Sequence, residues 1–379
     1  MNPAAPLLTV MAIAGDPGGA AALAPVIQEL REDARMRILT CPYNEALTLW
    51  QARGIETNLQ AQATIAEFQT LMRLEQVDYV IAGTSVNARN LEQLAIMAAS
   101  ELQRPTLAVL DYWANYRQRF SSTGKVLDVL PNWIAVMDGQ ARDEMIAEGF
   151  PAEILCITGQ PAFDSLAADR LRMGPAACRQ LRQTCGVADG EVMVFFPSQP
   201  ISSVCGEDAS NPLYLGYTER EVAALLIAAL DQIASERGGA ITLVTKPHPR
   251  EDGSWLQGLT GKQVTVRAAP AVGSRDLCIA ADLVVGMDSV LLVEACYLGS
   301  NVLSVQPNLV GPDTVPTNRM GASAAVYRAD EVKPTIERAL YDAPAREARA
   351  FRLASLTEAR FNAAAAVARL IRATSSLRP

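Results

Sequence analysis

The chain has 379 residues, half of them hydrophobic and one fifth charged, an ordinary globular composition that excludes disorder and fibre. That length exceeds what a single hydrophobic core usually serves, so two domains are expected. A formal net charge of −8 argues against a broad surface for a phosphate backbone, and no nucleic-acid partner is expected.

The seven cysteines are odd in number, scattered, and never fall in a C-x-x-C pair. Reduced, structural thiols are expected, and no thiolate metal site. The opening apolar run Leu7 to Ala14 has no basic flank and is too short for a bilayer, which needs about 20 residues. It reads as a first buried strand. No later stretch reaches spanning length without charges, and a cytoplasmic protein without a transmembrane segment is expected.

Short apolar runs alternate with segments of helical period, the pattern of βαβ units around a parallel sheet. Strands are expected at Leu7 to Ala14, Met36 to Thr40, Tyr79 to Gly83, Thr106 to Leu110, Trp133 to Met137 and Ile154 to Thr158. A second series is expected at Val192 to Pro197, Ile241 to Lys246, Val264 to Arg267, Leu283 to Met287 and Val302 to Val305. Between the series lies Gly159-Gln160-Pro161, followed by a polar helical stretch with Gly174-Pro175. This places an N-terminal domain at 1–172 and a C-terminal domain at 173–344. The Ala- and Arg-rich stretch 345–379 is helical, with no strand after it. Open α/β sheets bind ligands outside the carboxyl ends of their strands, so functional motifs should directly follow strands.

The first such motif is Gly15-Asp16-Pro17-Gly18-Gly19. Glycines let a backbone approach a ligand closely, and a helix N-terminus favours an anion. It is neither a G-x-G-x-x-G fingerprint nor a P-loop, since the lysine is missing. Gly15, Asp16, Gly18 and Gly19 are therefore candidates to line a ligand cleft, although a tight strand-to-helix turn explains the same string. Thr84 and Ser85 follow the third strand into the same region. Asp111, Tyr112, Trp113 and Arg117 follow the fourth. Aromatic faces stack on sugar rings, and a positioned Asp acts as general base toward a hydroxyl; a partly buried aromatic turn is the alternative.

In the second half, Lys246-Pro247-His248-Pro249-Arg250 ends a strand and holds the only histidine of the chain. The flanking prolines restrict the backbone. Lys246 and Arg250 supply charge for a phosphate and His248 a hydrogen bond. Gly286-Met287-Asp288-Ser289-Val290 then leads into a helix carrying Glu294, with Asp288 or Ser289 as N-cap.

The K-P-H-P string resembles one found in CDP-glycerol glycerophosphotransferases and capsule-forming transferases. The Asp288-Ser289 turn with Glu294-Ala295 is similar to the nucleotide-binding turn of GT-B glycosyltransferases and non-hydrolysing UDP-N-acetylglucosamine 2-epimerases. Thr158-Gly159 through Asp164 resembles the segment that ends the first domain in epimerases and lipid-A-disaccharide synthases. The resemblance implies an α/β chain of GT-B architecture, with two doubly wound Rossmann-like domains facing a central cleft and a terminal helix crossing back to the first. It implies phosphate contacts from Ser289 and Val290 and ribose hydroxyls on Glu294.

The chain departs from the epimerases in its first half. It has Pro17 and Ala22 where they carry an Arg and a Lys, Thr84 for the carboxylate of their G-D-T segment, and Val109-Leu110-Asp111-Tyr112 for their V-E-A-G. Moving a proton at C2 needs acid and base groups, so a metal-independent glycosyltransferase is the expectation. Lys246, His248, Arg250, Asp288, Ser289, Val290 and Glu294 would hold a nucleotide-sugar donor, and Asp111 with His248 would be catalytic toward an unidentified acceptor. No metal and no cofactor beyond the nucleotide-sugar substrate is expected. A UDP-N-acetylglucosamine 2-epimerase-like activity and a non-catalytic nucleotide or glycan binder are the alternatives. Related epimerases are often dimers, which leaves a homodimer open.

Overall fold

The structure, a computed structural model, describes residues 8–86, 90–357 and 362–375. The chain divides into two compact units, Met1–Ser165 with Arg360–Pro379, and Leu166–Ala359. Each is built on a six-stranded sheet in which every neighbouring pair of strands is parallel.

In the first unit the strands are β1 (Leu8–Ala14), β2 (Met36–Pro42), β3 (Tyr79–Ala82), β4 (Thr106–Val109), β5 (Trp133–Val136) and β6 (Leu155–Ile157), in the order β2-β1-β3-β4-β5-β6. A parallel sheet is covered on both faces, which is why these segments read as continuous apolar runs rather than alternating ones. Along β1, Val10, Ala12 and Ala14 pack with Leu23 and Ile27 of the helix Pro17–Arg31. Met11 and Ile13 point the other way, toward Phe68, Met72 and Ile96. The last helix, Ala363–Ser375, completes the first of these faces with Val367 and Ile371. Each such fully buried aliphatic side chain contributes about 1.5–3 kcal/mol. The Asp164 carboxylate caps that helix by accepting from the backbone N–H groups of Ala363 at 2.9 Å and Ala364 at 2.8 Å.

In the second unit the strands are β7 (Val192–Pro197), β8 (Ile241–Lys246), β9 (Thr265–Ala268), β10 (Leu283–Gly286), β11 (Val302–Val305) and β12 (Ala324–Val326), in the order β12-β11-β10-β7-β8-β9. Val194, Phe196, Leu243, Val285 and Leu303 form its core with Leu226 and Leu230 of the helix Glu219–Arg237 and Ile336 of the helix Val332–Tyr341. The helix Ala343–Thr357 belongs to this unit, so the stretch after residue 343 contributes one helix to each unit. Eleven of the twelve strands stand where the apolar runs place them, within two residues at each end. The twelfth, β12, is Ala-Ala-Val at a sheet edge, too short and too small-sided to make an apolar run. The expected strand at Val264 to Arg267 forms one residue later, because Val264 is buried in the core ahead of a β9 that is itself largely exposed.

The strand orders create one switch point in each sheet. In the first the chain leaves β1 for β2 and returns to the other side of β1 as β3; in the second, β8 and β10 flank β7. Loops leaving the carboxyl ends of neighbouring strands diverge at such a point and open a crevice for a ligand. At the first switch point two backbones touch. A Cβ added to Gly83 would stand 3.0 Å from the Cα of Gly19, and one added to Gly19 would stand 3.2 Å from the Cα of Gly83. Backbone on both sides leaves little room to yield, so Gly83→Ala should destabilise the fold by about 1–3 kcal/mol. Urea denaturation reads this as a lower midpoint with an unchanged slope. An unaltered midpoint would mean that the two loops are not held at this distance.

Candidate functional site

The first polar cluster stands where the loops after β1, β3 and β4 meet. Asp16 adopts an extended conformation and caps the helix Pro17–Arg31, its Oδ1 accepting from Gly19 N–H at 2.8 Å. Gly18 lies flat against Asp111, since a Cβ there would fall 1.9 Å from that carboxylate's Oδ2. Asp111 forms an ion pair with Arg119, both side chains less than a tenth exposed, and accepts from the Thr84 hydroxyl at 2.8 Å. The same guanidinium donates to the Thr84 hydroxyl at 3.0 Å and to the Ala114 carbonyl at 3.0 Å. Asp111 is thus a carboxylate already committed to a cation and a hydroxyl.

Beneath it lies Glu92, 1 % exposed, accepting from Gly15 N–H at 2.9 Å, from the Ser85 hydroxyl at 2.8 Å, and from the Tyr43 hydroxyl. Gly15 has no Cβ because the Tyr43 ring occupies that space. Three carboxylates, Asp16, Glu92 and Asp111, therefore share one neighbourhood with the Arg119 guanidinium. Burial, and then the Asp111 charge, push Asp16 up to about 6. Burial pushes Glu92 up to about 6 as well. Both groups titrate where an acid or base working near neutral pH would.

The aromatic turn is more internal than its composition suggests. Trp113 is 1 % exposed, packs against Phe163 with ring centroids 6.2 Å apart, and donates its Nε1–H to Asp138 at 2.7 Å. Its ring faces are occupied by the protein and are closed to a sugar. Tyr112 is half-buried, edge-on to Trp113. Arg117 braces its own surroundings, with bonds to the carbonyls of Lys125 at 3.2 Å and Glu148. Of the expected residues in this unit, the structure brings Gly15, Asp16, Gly18, Gly19, Thr84, Ser85 and Asp111 together, while Trp113 and Arg117 hold the loop.

The second cluster surrounds the carboxyl ends of β7, β8 and β10. After β7, Gln199 and Asp288 bond reciprocally: the Gln199 amide donates to Asp288 Oδ1 at 2.8 Å and accepts from Asp288 N–H at 3.2 Å. This ties the two loops that flank the second switch point. Ser289 caps the helix Val290–Tyr297, its hydroxyl accepting from Leu291 N–H at 3.1 Å, and Val290 at the first helical position is 48 % exposed. After β8, Glu251 organises the histidine loop by accepting from His248 N–H at 2.8 Å and from the Ser198 hydroxyl at 2.9 Å. The His248 Nδ1 accepts from Arg250 N–H at 3.1 Å, so the neutral ring carries its proton on Nε2 as a donor. Burial and the Arg250 charge hold the imidazole below its usual pKa, which favours that neutral form. Lys246 donates to the Val272 carbonyl. Glu294 is gripped by Arg275 through Nε at 2.9 Å and Nη2 at 2.7 Å, and Arg275 also reaches Asp169 at 3.3 Å.

Glu92, Tyr43, Gln199 and Arg275 lie outside the motifs, while Arg119 and Glu251 fall within the aromatic and histidine motifs but have no site role assigned there. Gln199 and Ser198 carried one usable signal, their place directly after β7. Among the described residues no group of three or more His, Cys, Asp or Glu side chains is arranged to hold a metal ion, and no helix is long and apolar enough to cross a membrane.

The raised pKa of Asp16 makes stability depend on pH. Its folded value of about 6 stands above the ordinary 3.8, so between these values the folded state binds the extra proton and stability falls as pH rises. Asparagine keeps the helix cap without the charge. Asp16→Asn should therefore gain on the parent protein by on the order of 2–3 kcal/mol as pH goes from 4 to 7, the equivalent of about two pKa units. Urea denaturation across that range measures it, and two parallel curves would refute the assignment.

No protein-family model matches the sequence, and no curated protein matches it. Solved structures do match in fold. S. aureus MnaA in complex with UDP superposes with a TM-score of 0.67 at 12% identity, covering 98% of both chains. The UDP-GlcNAc 2-epimerase of Neisseria meningitidis bound to UDP-GlcNAc gives 0.65 at 13% identity, over 97% of this chain and 100% of that one. Anabaena HepE in complex with UDP-glucose gives 0.60 at 16% identity, over 98% of this chain and 100% of that one. Over nearly its whole length, the chain shares the two-unit α/β fold of the UDP-GlcNAc 2-epimerases.

Proposed function

We propose that the chain is a sugar-nucleotide enzyme of the 2-epimerase kind, acting on a UDP-linked N-acetylhexosamine. The observation that carries this reading is the full-length likeness to structures described as UDP-GlcNAc 2-epimerases, some holding UDP or UDP-GlcNAc. It takes precedence over the transferase reading, which rested on acid and base groups missing position by position. That count does not hold against the cluster of Asp16, Glu92 and Asp111 at the carboxyl end of the first sheet.

In this reading the second unit takes the nucleotide. The N-terminus of the helix Val290–Tyr297, with Val290 exposed at its first position, suits a diphosphate, joined by the Nε2–H of His248 and the exposed Arg250. Glu294 accepts ribose hydroxyls from a position set by the two-point grip of Arg275. Asp16 is the group that moves a proton, because it titrates near working pH while Asp111 is committed to Arg119. Glu92 lies below, bonded to Gly15, Ser85 and Tyr43, and keeps the glycine loop in place.

Incubation with UDP-GlcNAc in heavy water tests the reaction: deuterium should enter at C2 of the sugar, and Asp16→Asn should abolish this while UDP affinity stays within about twofold, under 0.5 kcal/mol. Absence of deuterium in the parent protein would sink the epimerase reading. Glu294→Ala should weaken UDP binding about ten- to hundredfold, the range for a lost hydrogen bond to a charged group. Unchanged affinity would remove Glu294 from the site.

A further inference from the structure

The opposite end of the second sheet carries a polar cavity of its own. It has a volume of about 420 Å³ and is lined by Ser323, Ala325, Glu331, Thr335, Arg338 and Arg349. Ser323 to Ala325 enter β12, and Asn301, which bonds to Arg349, directly precedes β11. The cavity therefore stands at the amino ends of these strands, whereas Asp288 and Ser289 follow the carboxyl end of β10. Its size is within the range of small-molecule sites.

What distinguishes it is uncompensated positive charge. Arg346, Arg349 and Arg352 recur at every third position of the helix Ala343–Thr357 and share one face. Arg346 donates to the Leu340 carbonyl, and Arg349 to Asn301 Oδ1 at 3.3 Å. Arg352 lies against Gly321, where a Cβ would come within 2.4 Å of its Nη1. Arg338 joins them from the helix Val332–Tyr341. Among the described residues none of these four guanidinium groups forms an ion pair. Two carboxylates face the group. Glu331 sits at the rim, 3.9 Å from Arg328, and Asp342 caps the helix through Ala345 N–H at 3.0 Å. Burial, then the charges of Arg346 and Arg338, push the half-buried Arg349 below its ordinary pKa.

Gathering four guanidinium groups around a partly desolvated cavity, with only Glu331 and Asp342 facing them and no ion pair formed, costs free energy that an anion would recover. We propose that this cavity binds a small phosphate dianion, free or as a phosphate monoester, between Arg338 and Arg349. Planar guanidinium forks match phosphate oxygens in two-point contacts, and the Thr335 hydroxyl lines the same wall. The site is separate from the nucleotide loops and stands whether or not the proposed activity does.

The test uses the full chain with saturating UDP present, so that the nucleotide loops are occupied, and titrates inorganic phosphate against sodium chloride of equal ionic strength. Phosphate should raise the thermal midpoint saturably, and calorimetry should show about one site. Arg338→Gln and Arg349→Gln should each weaken phosphate about tenfold or more, while UDP affinity is unchanged. Without phosphate, Arg349→Gln should be at least as stable as the parent, because it removes an uncompensated charge. Glycerol 2-phosphate binding more tightly than phosphate would identify a monoester as the ligand, and the reverse would identify the free ion. A phosphate effect no larger than that of chloride, or one that survives in the double variant, would overturn the proposal. Arg338 is exposed, so its variant carries the test should Arg349→Gln fail to fold.

Discussion

A single guanidinium ties together the loops at the carboxyl end of the first unit's sheet. Arg119 reaches Thr84 on the loop after β3, Asp111 on the loop after β4, and the carbonyl of Ala114 within its own turn. The loop after β1 joins through Gly18, which is bare because Asp111 lies where its side chain would be. Removing the arginine would leave Asp111, beside Asp16 and Glu92, without its ion-pair partner, a loss of the 3–5 kcal/mol kind that follows when one partner of a buried pair is deleted. The glycines of the first loop follow from this arrangement. Gly15, Gly18 and Gly19 give way, in turn, to Tyr43, Asp111 and the backbone of Gly83.

The second unit solves the same problem with neutral and anionic groups. Its loops must also be fixed where the strand order reverses, and there the tie is the reciprocal pair Gln199 and Asp288. Glu251 makes a comparable tie at the neighbouring strand, satisfying His248 N–H and the Ser198 hydroxyl with its two oxygens. The imidazole is then positioned from both sides, by Glu251 through its own backbone and by Arg250 N–H through Nδ1.

Most of the fold was legible because parallel strands buried on both faces leave long apolar runs, and turns between them collect glycine and proline. β12 escaped because three small residues at an edge need no such run. The site motifs were legible for a related reason: they directly follow strands. Their partners were not. Glu92 is 77 residues from Gly15 and Gln199 is 89 from Asp288, and each sits in a stretch whose local pattern announces only a helix or a loop. Trp113 shows the converse failure. An aromatic beside a carboxylate and two arginines suggests a sugar platform, yet its indole N–H found Asp138 and its faces found the core.

The same distinction bears on how an activity is inferred from missing residues. Aligning motifs asks whether a carboxylate stands at a given position, and here Thr84 answers that it does not. Proton transfer asks instead whether a carboxyl group of suitable pKa stands at a given place in space. Asp16 enters from the β1 loop and Asp111 from the β4 loop, and burial plus their mutual repulsion raise the first toward neutral pH. Thr84, which stands where the epimerases' G-D-T segment has its carboxylate, donates its hydroxyl to Asp111 and so helps to orient that side chain. A replacement that looks like loss of function along the sequence becomes, in the folded chain, part of what positions Asp111, the neighbour whose charge helps to bring Asp16 toward neutral pH.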